Sequence, residues 1–151
     1  MVNVTKERVV TKSYRIQTQI LNFESIKVLW LNTYLPTDPL TIGQYDNTEL
    51  LSVLEEVDSI FADNIFNEVI WGSDLNWDMA RNSHFSKTMN DYVQKLGLVS
   101  LWSSHPVPYT HVHTDGKSKS TIDHFVLSSC LISLVEDFGI VERGDNVKCQ
   151  N

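Results

Sequence analysis

Two polar side chains follow an apolar segment near the middle of the chain, and their types suit hydrolytic chemistry. Asp74 and Asn76 stand two residues apart in the run WGSDLNWD, residues 71–78. In an extended segment such residues point to the same side, so a carboxylate and an amide could converge on one ligand. A carboxylate can accept a proton from water, and an amide can donate to a phosphate oxygen. The alternative is a turn, in which both side chains bind the local backbone.

Two further segments hold candidate functional residues. Asp123 lies in the strand-like run STIDHFVLS, residues 120–128, where it could orient a histidine as the acid of a carboxylate–imidazole pair. The alternative is a half-exposed strand in which Asp123 faces water. Tyr34 ends another apolar segment just before Pro36, and there its hydroxyl could reach a phosphate. The alternative for Tyr34 is an aromatic ring packed in the core.

The elements that must position these residues alternate between strands and helices. Apolar residues at helical spacing follow the expected N-caps Asp46 and Ser83, which predicts two helices. A turn is predicted at Glu24–Ser25, and strands are predicted at residues 13–22, 26–34, 68–71, 98–102, 110–113, 121–127 and 131–141. This order predicts a mixed sheet covered by helices, with Tyr34 and Asp74 at strand ends, where such sheets bind ligands.

The three motifs together resemble the endonuclease/exonuclease/phosphatase superfamily. Its members include apurinic endonucleases, deoxyribonuclease I and the endonuclease domains of non-LTR retrotransposons. The family has an N-x-Y-x-P-like segment after a strand, then a long helix, a strand ending in G-D-x-N and later an S-x-x-D strand. All three motifs occur here in that order within residues 13–147, and residues 120–128 resemble the retrotransposon type most. The resemblance implies an α/β (α+β) fold, a partial four-layer α-β-β-α sandwich of the DNase I-like type.

The resemblance also implies an activity, the Mg²⁺-dependent hydrolysis of a phosphodiester in a nucleic acid or of another phosphoester. Tyr34 matches the tyrosine that contacts the scissile phosphate, and Asn76 matches the asparagine that supports that phosphate. Asp74 matches the aspartate that orients or deprotonates the attacking water. Asp123 matches the aspartate that orients the catalytic histidine.

The sequence departs from the family pattern at three points. Ser73 separates Gly72 from Asp74, whereas the family has the glycine directly before the aspartate. The strand with the family's metal-binding glutamate precedes the region matched here, and its closing Ser-Asp-His has no match after residues 144–147. We therefore expect one incomplete domain, residues 1–151, with no principal metal ligand and little hydrolysis. The alternative is a degenerate, retrotransposon-derived domain that acts through binding.

Missing strands would leave one face of the sheet uncovered. We expect this to expose the apolar residues 28–31 and to lower the solubility of the chain.

Two other expectations concern histidines. His111 and His113 share one face of a predicted strand, but no further ligand stands at a zinc-site spacing. His124 alternates with Asp123 along a strand and so points away from it.

Composition restricts the class of protein and its compartment. The chain has 151 residues, of which 42% are hydrophobic and 21% charged, as in folded globular proteins. Its net charge of −7 opposes bulk electrostatic binding to nucleic acid but allows a local basic patch. We find no apolar run long enough for a membrane span and no signal-peptide pattern, so we expect an intracellular protein, nuclear or cytoplasmic. Cys130, in an apolar run, is expected to be a buried thiol.

Overall fold

The computed structural model describes residues 4–38, 47–114 and 116–140. In these ranges no helix is long and apolar enough to cross a membrane. The elements in chain order are β1 (Val4–Arg8), β2 (Ile16–Phe23), β3 (Ile26–Thr33), α1 (Thr48–Asp63), β4 (Glu68–Asp74), α2 (His84–Lys95), β5 (Leu98–Ser100), a 3₁₀ turn (Leu101–Ser103), β6 (His111–Val112), β7 (Lys119–Ser120), β8 (Asp123–Ser128) and α3 (Ser129–Ile132).

One mixed sheet organises the chain, with the strand order β1-β2-β3-β4-β8-β5. β2 and β3 form an antiparallel hairpin whose turn contains Glu24 at a φ of 41°, which confirms the predicted turn. β3 and β4 are parallel because α1 carries the chain back between them. β8 lies between β4 and β5 and is antiparallel to both. The predicted mixed sheet is therefore confirmed, and β6 and β7 form a separate two-stranded ribbon.

The hydrophobic core lies between one face of this sheet and the helices α1 and α2. Leu29, Leu31 and Trp71 are fully buried on that face. Inside the core, Trp71 Nε1 donates a hydrogen bond of 2.9 Å to Thr33 Oγ1, so neither buried polar group lacks a partner. The apolar stripe of α1 is the one predicted from helical spacing, and its buried residues are Leu50, Val53, Leu54, Val57 and Ile60.

Capping residues explain where α2 begins and ends. The Ser83 hydroxyl accepts a hydrogen bond of 3.0 Å from the Ser86 N–H, which confirms the predicted N-cap of α2. Gly97 follows that helix with a φ of 67°, a left-handed conformation that favours glycine. Asn47 precedes α1, and the predicted cap Asp46 lies outside the described residues.

Three expectations about packing and secondary structure are wrong. Val28, Leu29 and Leu31 are buried rather than exposed, since Leu29 and Leu31 belong to the core that the helices cover, while Trp30 is half-buried. The predicted strand at 131–141 is absent from its described part, where the short helix α3 is followed by irregular chain. Cys130 is exposed because it lies on α3 rather than in a buried strand.

Candidate functional site

The three sequence motifs meet at one edge of the sheet. Asp74 is the last residue of β4 and Asp123 is the first residue of β8, and they lie directly opposite each other in the antiparallel register. Backbone hydrogen bonds join the segments: the Leu35 N–H donates to the Asp74 carbonyl at 3.3 Å, and the Leu75 N–H donates to the Ile122 carbonyl at 2.9 Å. Since directly opposite side chains share a face of the sheet, the two carboxylates belong to one site.

The surroundings of the Asp74 carboxyl disfavour its negative charge. Burial raises the pKa of Asp74, and the hydrogen bond of 3.2 Å from the Asn76 N–H to Oδ1 offsets part of that rise. The negative charge of Asp123 raises the pKa of Asp74 further, while His111 acts in the opposite direction. A carboxylate with a raised pKa is a stronger base, which suits a group that takes a proton from water.

Two adjoining depressions form what we call the strand-end groove. The larger has a volume of about 480 Å³ and contains Asp74 and Asp123, with an apolar side that includes Phe125 and Phe138. The smaller, about 260 Å³, contains Tyr34 together with Asp74. Residues that line both depressions are Asn32, Ser73 and Asp74. The groove is therefore continuous from Tyr34 past Asp74 to Asp123.

Tyr34 follows β3 and is 51% exposed, so the packed-aromatic alternative is wrong. Arg15 holds it in three ways. The Arg15 carbonyl accepts from the Tyr34 N–H at 2.9 Å, Arg15 Nη1 donates to the Tyr34 carbonyl at 3.1 Å, and the guanidinium carbon lies 5.3 Å from the Tyr34 ring centroid. Arg15 cannot be identified from the sequence, because nothing in the spacing of residues 15 and 34 reveals that β2 and β3 bring them together.

Asn76 does not share the groove. Its backbone has a φ of 47°, so the segment after β4 turns rather than continuing extended. Asn76 is buried, and its Nδ2 donates to the Leu35 carbonyl at 2.7 Å. The predicted convergence of Asp74 and Asn76 through an extended segment is therefore wrong, and the turn alternative describes the backbone. The role of Asn76 at the phosphate stays a prediction. Its hydrogen bond to the Leu35 carbonyl connects the turn after β4 to the segment after β3.

Ser73, the residue that separates Gly72 from Asp74, contributes to the groove wall. Its hydroxyl donates a hydrogen bond of 3.1 Å to Asn32 Oδ1 and so joins the ends of β3 and β4. Gly72 lies opposite Phe125 in the register, and the Phe125 ring covers it. A β-carbon at Gly72 would lie 2.5 Å from Phe125 Cε1, which explains a glycine at this position of a strand.

His124 faces away from Asp123, as strand alternation predicted. Its ring is buried on the helix side, where Nε2 donates to the carbonyl oxygens of Thr121, at 3.1 Å, and Trp77. Burial lowers the pKa of His124, and these two carbonyl acceptors partly offset that effect. His124 therefore supports the loop after β4 and is not the partner of Asp123.

A second histidine approaches the site from the β6–β7 ribbon. Thr110 Oγ1 accepts hydrogen bonds from the N–H groups of Ile122, at 3.0 Å, and Asp123, at 3.1 Å, and this fixes the ribbon beside the start of β8. His111 follows directly and lies close enough to influence the pKa of Asp74. The sequence suggests only a zinc-ligand role for His111, because a predicted strand at 110–113 does not show that it lies beside the start of β8.

The described residues offer a magnesium ion two carboxylates but no larger cluster of ligands. Mg²⁺ takes oxygen ligands in octahedral geometry and often uses one or two carboxylates together with substrate phosphates. In residues 4–38, 47–114 and 116–140, no group of three or more His, Cys, Asp or Glu side chains could hold a metal. Asp74 and Asp123 are the two carboxylates present in the groove. Magnesium therefore stays an expectation from the resemblance.

Comparisons with known proteins identify the class of fold. No protein-family model matches the sequence, and no curated protein does. The structure resembles the endonuclease domain of TRAS1, a telomere-specific non-LTR retrotransposon, with a TM-score of 0.65 and 12% identity over 89% of this chain and 60% of that one. It also resembles an AP endonuclease from Archaeoglobus fulgidus, with a TM-score of 0.61 and 14% identity over 86% of this chain and 61% of that one.

A third solved structure, the 3′ phosphatase NExo from Neisseria bound to a product DNA hairpin, has a TM-score of 0.60 and 12% identity over 87% of this chain and 61% of that one. The chain thus spans about 60% of the length of these three structures. At such identities the likeness shows the fold. The chain has the DNase I-like fold of the endonuclease/exonuclease/phosphatase proteins, which confirms the resemblance and the fold class predicted from the motifs.

Proposed function

We propose that the strand-end groove is a phosphodiester-hydrolysing site of the nuclease type. The observation that carries this proposal is the position of Asp74 directly opposite Asp123 at the edge of the sheet, with Tyr34 at the far end of the same groove. Two carboxylates and an exposed phenol are the groups that activate water and bind a phosphate oxygen.

Nucleic acid is the substrate class we propose. The similar structures include a retrotransposon endonuclease domain, an AP endonuclease and a phosphatase bound to a DNA product. The groove runs from Tyr34 past Asp74 to Asp123 and is open at the surface, so it can accommodate an extended nucleic-acid strand. The net charge of −7 predicts weak binding, since few lysines and arginines are available to neutralise phosphates.

Each groove residue then has a definite task in the hydrolysis. The Tyr34 hydroxyl donates a hydrogen bond to a non-bridging phosphate oxygen. Asp74 accepts a proton from the attacking water, whose oxygen forms a bond to phosphorus as the bond to the leaving sugar oxygen breaks. Burial supports this task, because it raises the pKa of Asp74. Asp123 orients the proton donor, His111 or a group outside the described residues, which protonates the leaving sugar oxygen. Mg²⁺, the cofactor implied by the resemblance, would supply charge neutralisation at the phosphate when bound.

A second candidate function is binding of nucleic acid without turnover. The observation that favours it is the orientation of His124, the histidine adjacent to Asp123 in sequence. It is buried on the opposite face with its Nε2 engaged by backbone carbonyls, so it cannot serve as the histidine that Asp123 orients. Turnover would then depend on His111 or on groups outside the described residues.

A plasmid assay tests the proposal and separates the two candidates. The purified chain is incubated with supercoiled plasmid DNA and Mg²⁺, beside Asp74→Asn, Asp123→Asn and the control Asp91→Asn, which alters an exposed carboxylate on α2. Nicking that both groove variants abolish and the control retains supports hydrolysis. Binding in a gel-shift assay without nicking, weakened by Tyr34→Ala, supports the binding function. If the chain neither nicks nor binds DNA, both candidate functions are contradicted.

A further inference from the structure

An arginine and two tyrosines form a cluster at one end of the strand-end groove. The guanidinium carbon of Arg15 lies 5.3 Å from the ring centroid of Tyr14 and 5.3 Å from that of Tyr34. The Arg15 side chain is only 13% exposed, whereas Tyr14 is 86% and Tyr34 is 51% exposed. We call these three residues the tyrosine cluster. It presents two aromatic rings to solvent and keeps its cation beneath them.

The arginine of the tyrosine cluster is occupied by internal contacts. Its Nε and Nη2 donate to Glu49 Oε1 at 2.9 and 2.5 Å, and its Nη1 donates to the Tyr34 carbonyl at 3.1 Å. Three of the five N–H donors of Arg15 are therefore used internally, and the side chain is largely buried, which limits its contact with a phosphate. Cation–π contacts instead restrict the positions of Tyr14 and Tyr34, so less rotational freedom is lost when a ligand binds to these rings.

The exposed ring of Tyr14 is placed within reach of the reacting groups. Tyr14, Tyr34 and Asp74 line the same depression of about 260 Å³. A phosphate bound between Tyr34 and Asp74 would thus carry its neighbouring nucleoside toward Tyr14. An exposed tyrosine face suits the flat face of a nucleobase, because base–aromatic stacking tolerates any base. A base paired and stacked inside a duplex cannot offer that face.

We propose that Tyr14 is the stacking platform for an unpaired nucleobase next to the phosphate bound at Tyr34 and Asp74. The proposal rests on the proposed nucleic-acid function and adds a substrate preference to it: single-stranded or locally opened DNA binds better than intact duplex. Glu49 and Arg15 act as positioning residues that keep the platform in place. Tyr34 contacts the phosphate, and Tyr14 contacts the base.

Fluorescence anisotropy with labelled oligonucleotides tests this directly and needs no hydrolysis. The probes are a single-stranded oligothymidylate and a series in which one position at a time is an abasic residue, all at one salt concentration. For the unmodified chain, the abasic residue at one position is expected to weaken binding about 5- to 100-fold. Tyr14→Ala is expected to weaken binding of the complete oligonucleotide by a similar factor and to lose its sensitivity to the abasic residue. Tyr14→Phe keeps the ring and the affinity.

A matched control and the contrary outcomes complete the experiment. Ile65 is 84% exposed just before β4 begins, at the opposite end of that strand from Asp74, so Ile65→Ala should leave binding unchanged. The proposal is overturned if Tyr14→Ala binds as tightly as the unmodified chain, if its sensitivity to the abasic residue persists, or if no oligonucleotide binds. If the abasic residue weakens binding only when Tyr14 is present, and the chain never nicks DNA, the stacking platform is supported and hydrolysis is contradicted. If the chain nicks DNA but the abasic residue does not weaken binding, hydrolysis is supported and the platform is contradicted.

Discussion

Replacing Asp74 with asparagine should stabilise the fold while it removes the proposed activity. Burial and the charge of Asp123 raise the pKa of Asp74 above 3.8, so its ionisation favours the unfolded state. The stability linked to protonated Asp74 is present below pH 3.8 and is lost as the pH rises through the raised folded-state pKa. The asparagine side chain would stay neutral at every pH, and its carboxamide oxygen could still accept the hydrogen bond from the Asn76 N–H.

The size of the gain follows from the register of β4 and β8. Like charges directly opposite each other on antiparallel strands destabilise a sheet, and favourable cross-strand pairs of side chains contribute roughly 0.2–1 kcal/mol, which sets the scale. The burial of Asp74 adds to this cost, so we expect Asp74→Asn to raise the free energy of unfolding by about 1 kcal/mol at pH 7. In a domain of this size, that corresponds to an increase in Tm of about 2–4 °C. Part of this increase in the free energy of unfolding comes from relieving the repulsion between Asp74 and Asp123. It should therefore be smaller when Asp74→Asn is made in a chain that already contains Asp123→Asn.

Thermal and urea unfolding at pH 7 and near pH 3 measure these effects in the single and double variants. The difference between Asp74→Asn and the unmodified chain should disappear at the lower pH, where both side chains are neutral. Asp91→Asn, on the exposed side of α2, should change the free energy of unfolding by less than about 0.5 kcal/mol. A loss of stability in Asp74→Asn at pH 7, or a gain that does not depend on pH, would refute the proposed electrostatic strain.

Three further substitutions test the packing that supports the site. Gly72→Ala should lower the free energy of unfolding by about 1–3 kcal/mol in urea, because its β-carbon would meet the Phe125 ring, and Phe125→Ala in the same chain should remove most of that penalty. Thr33→Val should cost about 1–3 kcal/mol by leaving the buried Trp71 N–H without its acceptor, whereas Thr33→Ser should cost less. Ser83→Ala should cost about 1 kcal/mol through loss of the α2 cap and leave DNA binding unchanged; an equal loss of binding would contradict the separation of cap and groove.

Much of the fold could be predicted from the sequence because its strongest signals are local. The helical spacing of apolar residues in α1 and the cap at Ser83 gave the two long helices, and the turn at Glu24 gave the β2–β3 hairpin. The segment at 131–141 was predicted as a strand because a short apolar run is equally compatible with a helix or a strand. Strand order was not predictable, since β8 inserts between β4 and β5 through contacts distant in sequence.

The site was predictable only where motif and strand end coincide. Asp74 was predicted at a strand end, whereas Asp123 was predicted inside the strand 121–127 and is in fact the first residue of β8. The conformation of Asn76 could not be read from the sequence, because an Asp-x-Asn segment can be extended or turned. Arg15 and Thr110 were missed because their contacts with Tyr34 and Asp123 arise from strand pairing and loop return, which leave no periodic signal.

The most direct test of the central claim is an NMR titration of the isotopically labelled chain with a dithymidine phosphodiester. If the strand-end groove binds the phosphodiester, the largest backbone amide shifts will occur at Tyr34, Asp74 and Asp123 and will saturate together. Shifts that cluster instead in the depression between α1 and the β1–β2 connection, around Glu55 and Ser59, or the absence of any saturable shift, would contradict it.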